Sequence, residues 1–131
     1  MMSLTKKADY GLLLVTELAS RGKGKIVSTR ELVEDRELPA AFTAQIAKKL
    51  VRRGILGSKE GRTGGYYLKK DPEDVKVKEV LEAVDGKLAL TDCIENGDCS
   101  VKCKQKRFMR YLNSELSKMM ESYTLADVLN T

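Results

Sequence analysis

The chain has 131 residues, with 24 Lys and Arg against 19 Asp and Glu, no histidine and a formal net charge of +5. Hydrophobic residues make up 42% and charged residues 33%, which excludes a disordered tail and fits one small globular unit with a heavily charged surface. The pI near 9.1 favours an acidic partner such as nucleic acid. No apolar run approaches the about 18 residues that a membrane span needs, and no signal-peptide core opens the sequence, so a cytoplasmic protein away from membranes is expected.

In chain order, Thr5 can cap a first helix in which Leu4, Ala8, Leu12, Val15 and Ala19 recur at steps of three and four, ending at Gly22. Lys6, Asp9 and Glu17 lie on its other side, which reads as a solvated face. A turn over Gly22–Lys25 leads to a short extended piece at Ile26 and Val27. Ser28-Thr29-Arg30-Glu31 then forms a capping box for a second, short helix ending near Arg36. Pro39 suits the first turn of a third helix running to about Arg53, with Phe42, Ile46 and Leu50 as its buried stripe.

A short helix, a tight turn and a helix with polar residues near its start and cations near its end form the pattern of a helix-turn-helix. Thr43 and Gln45 are the candidates for base edges, and Lys48, Lys49 and Arg52 for phosphates. Gly54 closes the third helix. Ile55–Lys59 and Gly65–Lys69 follow as two strands around a Glu60–Gly64 loop, a hairpin placed as a wing whose Lys59 and Arg62 can enter the adjacent minor groove.

Asp71-Pro72-Glu73-Asp74 reads as a linker. It divides the chain into a winged helix-turn-helix DNA-binding domain, 1–72, and a sensor and dimerisation part, 73–131. Val77, Val80, Leu81 and Val84 define a short helix stopped at Asp85-Gly86, and a polar loop then holds all three cysteines, Cys93, Cys99 and Cys103. Phe108, Leu112, Leu116, Met119, Met120 and Tyr123 recur at helical spacing beyond it, a stripe that needs a partner. The expected fold is mainly α (α+β), a winged helix-turn-helix with a long C-terminal dimerisation helix. Its partners would be a second copy of the chain and double-stranded DNA with a palindromic operator. A final capped turn of helix is expected from Thr124 and Asp127.

An odd count of clustered cysteines in a reducing compartment argues against a disulfide framework and for metal binding or redox sensing. Thiolates are soft ligands that suit iron-sulfur clusters and zinc. Lys102, Lys104, Lys106 and Arg107 flank Cys103 and favour its thiolate for ligation or for oxidation.

The order just described resembles the Rrf2 (Rrf-two) family of winged-helix transcriptional regulators. The likeness is carried by Leu4-Thr5, Ala8-Asp9-Tyr10, Arg53-Gly54-Ile55-Leu56, the Gly64-Gly65-Tyr66-Tyr67-Leu68 wing, Val80-Leu81-Glu82-Ala83-Val84-Asp85-Gly86 and Tyr123-Thr124-Leu125. The resemblance implies a homodimer, commonly a repressor, whose long helices cross. Its members that sense iron-sulfur status or nitric oxide hold a cluster through three cysteines and one other ligand. It assigns Cys93, Cys99 and Cys103 as ligands and Asp9, from the opposite subunit, as the fourth, with a 4Fe-4S cluster favoured over 2Fe-2S and lost from protein handled in air. Two departures stand out. Only Ser100, Val101 and Lys102 separate the last two cysteines where the family usually has five residues, and Glu60 stands where many relatives carry a wing arginine. The histidine of some cluster-binding members is absent, Lys106 lying near its place.

The same DNA-binding regulator without a cluster, acting as a thiol redox switch or through another effector, is the alternative. A small iron-sulfur electron carrier is more remote, because it would need neither recognition helix nor wing. With no histidine, no phosphate-binding glycine loop and no nucleophile-base pair, an enzyme is not expected.

Overall fold

The first helix, α1 (Lys6–Arg21), begins where the Thr5 hydroxyl accepts the Ala8 N–H at 3.1 Å, and ends at Gly22, whose φ of 105° suits a residue without Cβ. A computed structural model describes residues 4–36, 38–91, 94 and 103–131, with the side chains of 35 and 36 left aside. Helix α1 is the central element, contacted by helices and by the hairpin on several sides. Its buried residues, Ala8, Gly11, Leu14, Val15, Leu18 and Ala19, therefore span a wider arc than the single ladder expected from spacing. Leu4 is exposed and Leu12 half-buried, while Leu14 and Leu18 are buried in their stead. Glu17, expected in solvent, is also buried, with its carboxylate 3.1 Å from Arg21 Nε.

Helix α2 (Thr29–Arg36) starts at Ser28, whose hydroxyl accepts the Glu31 N–H at 3.1 Å. Half of the expected box is thus present, and the Glu31 carboxylate lies 3.4 Å from Arg21. Pro39 is the N-cap of α3 (Ala40–Arg52), and its carbonyl accepts the Thr43 N–H at 2.8 Å. Phe42 meets Tyr10 of α1 edge-on, with centroids 5.5 Å apart.

Strands β1 (Leu56–Lys59) and β2 (Gly65–Leu68) pair antiparallel, Leu56 opposite Leu68 and Lys59 opposite Gly65. Val27 adds a bridge to the hairpin, exchanging N–H···O bonds with Tyr66 at 2.9 and 3.0 Å. A Cβ on Gly65, whose φ is 156°, would collide with the Val27 carbonyl oxygen, so the second glycine of the Gly-Gly pair is required by this close approach. The wing is thereby fixed to the chain leading into α2.

A 3-10 turn (Pro72–Asp74) takes the place of the expected linker and delivers buried Val75 to the start of α4 (Val77–Asp85). Helix α4 lies along α1, and Gly11 makes room for Val84: a Cβ at that position would come within 2.7 Å of Val84 Cγ2. Helix α5 (Lys106–Ser122) packs on α4 and buries no residue fully. Its end returns to the start of α4, where the Val77 N–H donates to Tyr123 O at 2.9 Å and the Leu125 N–H to Val75 O at 3.0 Å. The last turn, α6 (Leu125–Leu129), is capped as expected, with the Asp127 carboxylate accepting the Thr124 N–H at 2.8 Å. Leu125 enters the core formed by Leu14, Leu18, Ile46, Leu50, Ile55, Leu56, Leu68, Val75, Val80 and Val84. That core draws on both sides of the expected boundary at 72/73. No helix among the described residues is long and apolar enough to cross a membrane.

Candidate nucleic-acid interface and cysteine segment

Helix α3 buries Thr43, Ile46, Ala47 and Leu50, and this leaves Ala41, Gln45, Lys48 and Arg52 as the exposed stripe on its far side. The side chains of Gln45, Lys48 and Arg52 make no hydrogen bond or ion pair among the described residues, which leaves their donors to a ligand. Lys48 and Arg52 face the wing across one open groove of about 660 Å³, whose other walls include Ser28, Thr29, Lys59 and Arg62. Lys59 and Arg62 are exposed, on a tip turned by Gly61 at φ 101°. A cationic groove between a helix and a hairpin matches a polyanionic backbone, with Gln45 able to offer paired amide and carbonyl groups to a base edge.

Two of the residues expected at the DNA are engaged within the protein. Thr43 is buried, 3% exposed, and its hydroxyl donates to the Pro39 carbonyl at 2.8 Å. It belongs to the inward stripe with Ile46, Ala47 and Leu50, a three-four spacing that hydrophobicity alone does not reveal because threonine is polar. Lys49 is half-buried and turned to α4, where its ammonium donates to Val84 O at 3.1 Å. A cation completing the carbonyl end of a helix is favourable both as a hydrogen bond and against the macrodipole. Conversely, sequence reasoning missed Ser28 and Thr29 as walls of the groove and Ala41 as part of the exposed stripe of α3. Ala41 is four residues before Gln45, and that spacing was its available signal.

Cys93 and Cys99 lie outside the described residues, as does Lys102. Cys103 is half-buried just before α5 and shares a shallow hollow with Lys104, Lys106, Arg107 and Arg110. Asp9 is exposed in the first turn of α1, and its carboxylate makes no hydrogen bond or ion pair among the described residues. No group of three or more potential ligands converges among the described residues.

The segment entering the cysteine loop is held by a residue that spacing did not single out. Asn113 of α5 accepts the Leu90 N–H through Oδ1 at 2.9 Å and donates through Nδ2 to Leu88 O at 3.2 Å. Glu82 of α4 accepts the Leu88 N–H at 3.5 Å. The path into the loop is thus tied to both flanking helices. The outward side of α5 is different: Phe108, Tyr111, Leu112, Met119 and Tyr123 are all exposed.

The family model for Rrf2, described as an iron-dependent transcriptional regulator, matches residues 4–131. The HTH-type transcriptional regulator IscR of Escherichia coli is 28% identical over 131 residues, covering 98% of this chain and 81% of the relative. Among solved structures, CymR (YrzC), the global cysteine regulator of B. subtilis, superposes with a TM-score of 0.80 at 21% identity, covering 98% of this chain and 96% of the other. T. potens IscR gives 0.79 at 23% identity, covering 98% and 87%. These two structures confirm the winged-helix architecture expected from the sequence.

Proposed function

Since the chain belongs to the Rrf2 family of transcriptional regulators and is a DNA-binding regulator rather than an enzyme, we propose that it acts as a homodimer whose operator affinity is set by an iron-sulfur cluster. Gln45 reads a base edge, Lys48, Arg52 and Lys59 hold phosphates, and Arg62 enters the minor groove beside the wing. The carrying observation is the exposed row of Gln45, Lys48 and Arg52 on α3, whose side chains have no partner among the described residues, with Lys48 and Arg52 opening onto the groove shared with the wing. Two such readers related by a two-fold axis would take a palindromic operator with half-sites about 34 Å apart. The exposed stripe of α5 supplies an apolar face for that pairing.

The donor chemistry fits a cluster. Cys93, Cys99 and Cys103 offer three soft thiolates on one short segment, and Asp9 offers an uncommitted carboxylate for a fourth, more exchangeable position. When bound, the cluster would supply a centre sensitive to nitric oxide, oxygen or iron-sulfur status. Its occupancy must be coupled to operator affinity, because an effector acts only through differential affinity for two states. The basic hollow around Cys103 supports a second reading, a cluster-free thiol switch, since the half-buried sulfur opens there onto a surface shared with Lys104, Lys106, Arg107 and Arg110.

The test is iron and sulfide per subunit, with the visible spectrum, on anaerobically purified protein beside Cys103→Ala and Asp9→Ala. The cluster reading expects about four of each per site, lost in Cys103→Ala and spectrally altered in Asp9→Ala, with loaded and chelator-treated protein differing in operator affinity at one salt concentration. No iron after reconstitution, together with operator affinity that follows thiol oxidation, would establish the switch instead.

A further inference from the structure

Lys49 stands on the recognition helix, yet its charge is spent away from the DNA groove. Its ammonium reaches across 35 positions of sequence to Val84 O in the last turn of α4. That turn is closely fixed. Val84 fills the space left by Gly11 of α1, and the Asp85 carboxylate accepts the Thr5 hydroxyl at 2.9 Å. Glu82, on the same turn, accepts the Leu88 N–H, and Leu88 and Leu90 are bracketed by Asn113 of α5. A continuous set of hydrogen bonds and covalent turns therefore runs from α5 and the entrance of the cysteine loop to a single side chain on α3.

We infer that Lys49 is a positioning residue, not a phosphate contact, and that it transmits the placement of the Leu88–Leu90 segment to the reading stripe. Gln45 lies four residues before it and Arg52 three residues after it on the same helix, so a tilt of α3 at Lys49 displaces both. The intrahelical ladder makes these residues move together. Glu82 and Asp85 of α4 line one hollow with Lys49, Arg52 and the helix-capping Arg53, so charges of opposite sign face this contact from the two elements. Met at position 49 would keep the apolar stem but lose the charged donor, whereas Arg would keep both charge and donors.

The inference rests on the proposed role of the cysteine segment only for what moves Leu88–Leu90; the mechanical link stands without a cluster. It is tested on the protein as isolated, by anisotropy with an operator duplex selected by the wild type from a random pool. Lys49→Met and Asn113→Ala should each change operator affinity by about three- to tenfold, and the double variant should be no more affected than Lys49→Met alone, the non-additivity of two residues on one route. Lys49→Arg should restore wild-type affinity, and the salt slope of Lys49→Met should equal that of wild type. Additive effects would overturn the inference, as would a salt slope reduced by about one, the mark of a lost phosphate contact. Should Lys49→Met fail to fold, Lys49→Gln replaces it in the same cycle. Absence of iron in the wild type would remove the cluster and leave this result intact, while additive effects in iron-loaded protein would do the reverse.

Discussion

At the scale of single residues, position on a helix and chemical type gave conflicting signals, and packing decided between them. Thr43 and Gln45 are two positions apart and both polar, yet one hydroxyl is turned back to Pro39 and buried while the amide is exposed. Thr43→Ala should therefore lower stability by about 1 kcal/mol, through one buried hydrogen bond, and leave the preferred operator sequence unchanged. Denaturant unfolding and operator selection on the same variant check the two halves of that expectation. Arg62 makes the opposite case, since it is exposed on the wing tip and has no partner among the described residues. Arg62→Ala should weaken operator binding and reduce the salt slope by about one, with unfolding unaffected; an unchanged slope would remove it from the interface. Caps and turns were legible at this scale because Thr5, Gly22, Gly54 and Asp127 announce themselves by type. Asn113 was not, because a lone amide in an amphipathic helix shows no period and its partners lie more than 20 positions away.

At the scale of elements, the hairpin was the most readable part of the chain and α1 the least. The Glu60–Gly64 loop between the Ile55–Lys59 and Gly65–Lys69 segments defined the wing, and the pairing of Leu56 with Leu68 follows that reading. Helix α1 is contacted on several sides, so a single buried stripe was the wrong template for it. Helix α5 carries two adjacent apolar faces that the sequence merged into one. Met109, Leu116 and Met120 are half-buried, while Phe108, Tyr111, Leu112, Met119 and Tyr123 remain in solvent. A charge on the outward face should block self-association without disturbing the inner one. Leu112→Lys with Met119→Lys should sediment as a monomer at micromolar concentration, where the wild type sediments as a dimer, while far-ultraviolet circular dichroism is retained. A monomeric wild type would show that the face is not a self-association surface.

At the scale of the whole molecule, Asp71-Pro72-Glu73-Asp74 was read as a linker between a DNA-binding domain, 1–72, and a sensor and dimerisation part, 73–131, because it has the composition of one. It instead forms a tight turn between residues of one shared core, and Val75 and Leu125 lie fully buried beside residues of α1. Composition cannot show that the chain's last turn closes the packing of its first half. Unfolding should consequently be a single cooperative transition, the same by circular dichroism and tyrosine fluorescence. Leu125→Ala, although far from the DNA groove in sequence, should cost about 2–5 kcal/mol in that one transition; two separable transitions would show independent units. The same closure governs how α5 can swing. Its 17 residues make a rod about 26 Å long, pinned at its far end where Tyr123 and Leu125 bond to the chain entering α4. Displacing the cysteine end of such a rod by about 1 Å rotates it by roughly 2° about that pin. A helix pinned in this way would act as a lever, turning a small linear movement at one end into a change of angle.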